Sequence, residues 1–389
     1  MQRRSEEIKR TIFSTEHDDF RSTIRAFVDK EVVPNFSAWE RAGVAPRELY
    51  TRLGELGILG IYVPEEYGGS GQSSYKFSAV LTEETMSRAV GLGALRVHMD
   101  IVLPYFLQLC NDEQKARWLP GIGSGDLMTA IAMTEPATGS DLAGVTTTAA
   151  RDGEEFVING AKTFITGAVN ADLFLVVVRT SPAGDDRRTG LSLMVVERDR
   201  VGFSIGQNLE KLGLKAQDTA ELSFTDVRVP AANLLGEEGE AFRYLGSNLP
   251  QERLSIAVGS IAAASGAVRM TTDYVRDRKV FGRNLSSFQN TKFVLAECST
   301  EIEAGQALVD RALDAHDADE LTAVDAAKVK LFTSELQGRI VDRCLQLFGG
   351  YGYILEYPIA RMYADARVTR IYGGTTEVMK TIISKSLGL

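Results

Sequence analysis

Residues 126–235 of this 389-residue chain read in a different period from everything around them, and that switch constrains the architecture most. Short β-branched runs, "LFLVVVRT", "LSLMVVER" and "TAELSFTDVRV", are separated there by turn dipeptides, which predicts a compact β unit. Asp152-Gly153 and Asn159-Gly160 both read as two-residue hairpin turns, because a type I′ turn needs positive φ. On either side, apolar residues recur at three- and four-residue spacing. Phe20, Ile24, Phe27 and Val28 form one helical stripe that Pro34 interrupts, and Leu49, Leu53 and Leu56 continue the helical pattern toward Gly125. After Gly236 the helical period returns and holds to the end. "LSIAVGSIAAASGAVRM" is so rich in small residues that its helix is expected to pack closely on its neighbours.

The expected order is therefore helices, β unit, helices, with units at 1–127, 128–236 and 237–389, an α+β and mainly α fold. A doubly wound nucleotide fold does not fit, since no strand leads into GxGxxG. "EEYGGSGQSS" contains no GxxxxGK[ST] and reads as a surface turn. A formal charge of −9 without a basic block argues against a nucleic-acid surface. No run reaches the roughly 18 uninterrupted apolar residues of a membrane span, and "MQRRSEEIKRTIF" lacks the apolar centre of a secretion signal. A soluble protein is expected. Cys110, Cys298 and Cys344 show no CxxC spacing, and His17, His98 and His316 no HExxH. No metal is expected, and a reducing cytoplasm is the expected compartment.

In "AFRYLGSNLPQERLSIAV", Phe242, Leu245, Leu249, Glu252 and Ile256 fall at helical spacing, so one face is apolar except for Glu252. Arg253 is next in sequence and does not face it. A carboxylate on a buried stripe is costly unless paired or useful, and desolvation raises its pKa toward that of a working base. Two other readings stand beside that one: a cation from another helix meets Glu252, or Pro250 turns the position outward. "IAMTEPATGSDLAG" places Thr134 and Ser140 in a tight loop after a strand, with hydroxyls and N–H groups suited to a polar cofactor edge or a phosphate. "FIT" puts Phe164 and Thr166 on one strand face.

Together "AMTEPATGSD", "KTFITG", "LGLKAQDTAELSFTDVRVP", "DRKVFGR", "QLFGGYGYILEYPIARMYADARV" and "IYGGTTE" resemble, in order and approximate spacing, the acyl-CoA dehydrogenase family. The resemblance runs from about residue 16 to the C-terminus. It implies an N-terminal helical domain, a middle β domain and a C-terminal four-helix bundle, assembled as a homotetramer. It also implies non-covalent FAD, an acyl-CoA substrate oxidised to trans-2-enoyl-CoA, and an electron-transfer flavoprotein as acceptor.

Carried over by motif, Met133, Thr134 and Thr166 resemble flavin-ring partners, and Phe164 stands where a tryptophan is common. Ser140 is placed for the pyrophosphate or the pantetheine arm. Arg278, Phe281 and Gln289 resemble the group one subunit lends to its neighbour's FAD, and the Gln346–Gly350 loop also touches cofactor. In many members the residue after the tyrosine of "IYxGT" is the catalytic glutamate; here it is Gly373. Members of the long-chain and isovaleryl type carry it instead on the "ERL" helix, which is Glu252 here, and the long-chain type resembles this chain at both motifs. The resemblance thus implies Glu252 as base, with the Gly373 N–H and a ribityl hydroxyl of FAD as oxyanion hole. Thr375 and Glu377 become a helix cap and cofactor-side residues, and Arg253, Tyr372 and Gly374 line the substrate. A medium- to long-chain acyl group is expected. A flavin oxidase or monooxygenase, or a non-catalytic acyl-CoA-binding or DNA-binding relative, are the alternatives.

Overall fold

The computed structural model describes residues 10–389; the first nine residues of the N-terminal unit lie outside the described residues. Seven helices come first: α1 (Thr15–Phe27), α2 (Phe36–Ala42), α3 (Arg47–Glu55), α4 (Lys76–Met86), α5 (Gly93–Arg96), α6 (Leu103–Leu109) and α7 (Asp112–Ser124). The Phe20–Val28 stripe is α1 running into a π-helical turn, Val28–Val32, just before Pro34. Leu56 lies one residue past α3, at its cap, and is 40% exposed, so the stripe ends a residue earlier than its spacing suggests.

The chain then builds β1 (Thr129–Ala132), β2 (Thr148–Asp152), β3 (Glu155–Thr166), β4 (Leu173–Arg179), β5 (Leu191–Glu197), β6 (Phe203–Asn208), β7 (Thr219–Pro230) and β8 (Leu234–Leu235). They form one 8-stranded sheet in the order β6-β7-β3-β2-β4-β5-β8, with β1 pairing β4 in parallel. Asp152 pairs with Glu155, so Gly153 at φ +63° and Glu154 make the expected tight turn. Asn159-Gly160 does not turn the chain: it lies inside β3, at a bulge against β7. A Cβ on Gly160 would stand 2.6 Å from Thr147 Oγ1, so this glycine serves a close approach, a requirement that looks identical to a turn in sequence. A second bulge between Lys162 and Ile165 holds Phe164 at φ +60° and turns its ring outward.

Five helices close the chain: α8 (Ala241–Asp277), α9 (Gln289–Asp317), α10 (Ala323–Phe348), α11 (Pro358–Ala366) and α12 (Thr376–Ser386). The long helices α8, α9 and α10 pack on one another, α12 lies against α10, and α4 joins through α8. Helix α8 is long and apolar enough to cross a membrane by length and composition, but 78% of its apolar window is buried inside the fold. Its small residues permit the close packing their composition implies: a Cβ on Gly266 would lie 2.3 Å from Ser87 O. The core of the bundle is Leu254, Ala257, Val258 and Ile261 of α8 against Leu336, Ile340 and Val341 of α10. Among the described residues, no group of three His, Cys, Asp or Glu is placed to hold a metal ion.

Candidate active site

Helix α8 runs through Pro250 without a break, so position 252 keeps its helical facing. Glu252 lies on the wall of a cavity of about 70 Å³, beside Arg96, Thr166, Gln217, Ser255, Asp365 and Tyr372. Desolvation raises its pKa above the ordinary carboxylate range, against the opposing fields of Arg253, Lys330 and Arg96. The carboxylate faces the cavity, and cations surround it without forming a salt bridge among the described residues.

Gly373 adjoins this wall. A Cβ there would stand 2.4 Å from Ile256 Cδ1 and 3.6 Å from Glu252 Oε1, and φ is +62°. A larger residue is thus excluded both by backbone conformation and by the side chains that α8 brings to the site. Among the described residues nothing accepts the Gly373 N–H. The two carbonyls that follow are held: Arg253 Nε donates to Gly373 O at 3.3 Å and Lys330 Nζ to Gly374 O at 2.7 Å. Arg253, only 5% exposed, is engaged with the loop and does not line the cavity. Lys330 is fully buried, and desolvation together with Arg253 lowers its pKa to about 8.

Thr375 caps α12, its hydroxyl accepting from Val378 N at 3.3 Å. Glu377 is exposed in the first turn, its carboxyl held below the ordinary range by its own backbone N–H and the Thr375 hydroxyl. It is not in the cavity. Thr166 is, accepting from Gln217 Nε2 at 3.1 Å. Met133 and Thr134 follow β1, where Met133 O accepts from Lys162 and Thr134 O from Thr163 N at 2.9 Å, while Ser140 is exposed farther along the loop. Buried Lys162 also meets Glu135 at 2.9 Å, and Glu135 accepts from the Thr146 and Thr147 backbones.

Arg278, Phe281, Gln346 and Gly350 are together elsewhere, lining a cleft of about 700 Å³ with Phe288 and Tyr351. Gln289 opens α9 at its edge. The cleft and the Glu252 cavity share no lining residue. Sequence reading missed Arg96, Gln217, Asp365 and Lys330.

Three family models together span nearly the whole chain: "Acyl-CoA dehydrogenase, N-terminal domain" over residues 14–126, "middle domain" over 130–227 and "C-terminal domain" over 239–388. The chain belongs to the acyl-CoA dehydrogenase family. The pig long-chain specific acyl-CoA dehydrogenase of mitochondria is 44% identical over 97% of this chain and 88% of its own. An acyl-CoA dehydrogenase structure from Geobacillus kaustophilus superposes with TM-score 0.96 at 45% identity, covering 98% of this chain and all of that one. A Mycobacterium smegmatis glutaryl-CoA dehydrogenase in complex with FADH2 does so at 0.89 and 30% identity, covering 97% and 95%. These matches make the chain an oxidoreductase that dehydrogenates an acyl-CoA, and FAD is the family's cofactor.

The donor set fits FAD. Arg278, whose guanidinium lies 5.0 Å over the Tyr351 ring, would hold a pyrophosphate, and Phe281, 94% exposed, would meet an adenine. Cβ atoms built on Gly349 and Gly350 meet nothing, so the backbone there is open to a ligand. Thr166, in the Glu252 cavity, would be the hydroxyl nearest a flavin ring held there.

Proposed function

We propose that Glu252 is the base that removes the α-proton of a bound acyl-CoA, while the Gly373 N–H polarises the thioester carbonyl. The observation that carries this reading is the adjacency of the two groups: a desolvated carboxylate beside an unengaged N–H. The α-proton of a thioester is weakly acidic, so charge developing on the carbonyl oxygen needs a donor already oriented toward it. Arg253 and Lys330 orient it by fixing the next two carbonyls. Raised in pKa, Glu252 is a stronger proton acceptor than an exposed carboxylate once ionised, and the three cations keep that ionised form accessible. FAD held beside this site would supply the acceptor for the hydride of the β-carbon.

Further parts of the reading are also proposed. Electrons pass on to an electron-transfer flavoprotein, the chain acts in the cytoplasm, and it assembles as a homotetramer. The separation of the aromatic cleft from the Glu252 cavity supports the assembly, because a neighbour's Arg278 and Phe281 would then hold the adenine end of FAD. A medium- to long-chain substrate is supported by the identity to the long-chain specific relative. Thr134, Thr166, Phe164 and Ser140 are proposed to face the flavin and pantetheine side.

The test is Glu252→Gln. It should keep FAD and bind acyl-CoA while losing nearly all turnover with an artificial acceptor; normal oxidation by the variant would end the assignment. Slow reoxidation of the reduced enzyme in air, and fast reoxidation by an electron-transfer flavoprotein, separates a dehydrogenase from an oxidase.

A further inference from the structure

One of the three cations that oppose the desolvation of Glu252 lines the catalytic cavity itself. Arg96, the last residue of α5, lines the cavity together with Glu252. Its Nη2 and Nε donate to Ser255 Oγ at 2.9 and 3.3 Å, and Tyr372 lines the same cavity. Ser255 in turn donates to Asp100 Oδ2 at 2.7 Å, so a neutral hydroxyl stands between this guanidinium and its nearest hydrogen-bonded carboxylate. Among the described residues Arg96 forms no salt bridge. The site is shaped for it: Ser255 and Gly259 are one turn apart on α8, and a Cβ on Gly259 would lie 3.2 Å from Arg96 Nη1.

A guanidinium has five N–H donors and the strongest preference for oxygen acceptors of any side chain. Laying an unsubstituted alkyl chain over it would strip its water and return nothing, the costliest way to fill a cavity. An oxygen on the acyl chain would instead complete its bonding. Ser255, which holds Arg96, lies three residues after Glu252 on α8, and all three residues line the cavity. An acyl chain whose α-carbon sits at Glu252 therefore shares its cavity with the guanidinium.

We propose that Arg96 determines specificity by selecting acyl thioesters that carry an acceptor oxygen on the acyl chain beyond the α-carbon. The inference rests on the reading of Glu252 as the base, since that fixes where the α-carbon lies. A carboxylate would add charge pairing, and a hydroxyl or carbonyl hydrogen bonding alone.

The experiment compares straight-chain acyl-CoAs of equal length whose far end is a methyl, a hydroxyl or a carboxylate, using FAD-loaded enzyme. Wild type should favour at least one oxygen-bearing ester in kcat/KM, and Arg96→Met should shrink that preference by about 100-fold, as expected where a site built for a polar group loses its partner. Arg96→Lys, which keeps the charge without the fork, should shrink it less. Binding of the matching trans-2-enoyl-CoA products, measured by calorimetry, should show the same ordering. Those products have already lost the α-proton, so their affinities report on Arg96 even if Glu252→Gln proves active and the base is another group. A wild-type preference for the methyl-ended ester, or equal weakening of all three in Arg96→Met, overturns the proposal. Should Arg96→Met fail to fold, the Arg96→Lys ratios decide it alone.

Discussion

Lys330→Met is the perturbation whose effects on stability and on chemistry separate most cleanly. The ammonium is fully buried, gives its bond to Gly374 O, and has its pKa lowered to about 8 from 10.5 by desolvation and by Arg253. A lysine whose folded pKa lies below its unfolded value binds its proton less readily when folded, so it weighs against folding wherever it is charged. That burden is full below about pH 8 and fades as pH rises toward 10.5. A shift of this size corresponds to about 3 kcal/mol. Methionine at 330 removes the burden but leaves the Gly374 carbonyl without its donor, a loss of about 1–3 kcal/mol. Near pH 7 the two effects nearly cancel, and the variant should be as stable as wild type or slightly more so. Near pH 10 wild type has regained its share, and the comparison should have moved by about 2 kcal/mol against the variant. Urea unfolding at both pH values, with FAD saturating, measures this. Activity should fall even at pH 7, because Glu252 loses one of the three cations that oppose its desolvation. The acidic limb of the kcat profile should move to higher pH. A stability difference that is the same at both pH values, together with an unmoved limb, would refute this account of Lys330.

Two more outcomes follow from buried contacts away from the base. Lys162→Met strands Glu135, which desolvation would raise but its Thr146, Thr147 and Lys162 partners depress to about 2; the broken buried pair should cost about 3–5 kcal/mol. The depressed carboxyl contributes stability above pH 4.5 that is lost as pH falls toward 2, so urea unfolding across that window should show a smaller acid-dependent loss in the variant than in wild type. Gly266→Ala places a methyl 2.3 Å from the Ser87 carbonyl oxygen; the gain in helix propensity of about 1 kcal/mol should be outweighed by overpacking of about 1–3 kcal/mol, read as a lower melting temperature with unchanged kcat.

What the amino-acid order made legible was local. The helix–β–helix order follows from a change of hydrophobic period, and Gly153 turns the chain where Asp-Gly predicts. Gly160 misled because a bulge that admits Thr147 asks for the same residue as a turn, and only the distant strand decides between them. Gly373 is the same kind of case: its identity shows that something must approach, but the approaching atoms belong to Ile256 and Glu252, more than a hundred residues earlier.

Glu252 could be singled out because it interrupts an apolar helical stripe; Lys330 interrupts a stripe that is buried but not apolar. Ala326, Lys330, Thr333 and Gln337 follow one another at four-, three- and four-residue spacing on α10, and all are buried. A lysine on such a stripe is as anomalous as a glutamate, and it passed unnoticed only because its neighbours are small and polar rather than large and apolar. Arg96 defeats this test. It closes a four-residue helix that gives way to a π-helical turn at Val97–Val102, so no period exists for it to break. Its setting comes from Ser255 and Gly259 on α8, in a stretch whose small residues already have a packing explanation. Periodicity therefore exposes the groups that long helices carry into the cavity and hides those that short irregular segments deliver. In this protein the hidden group is the one that bears on which acyl chain is accepted.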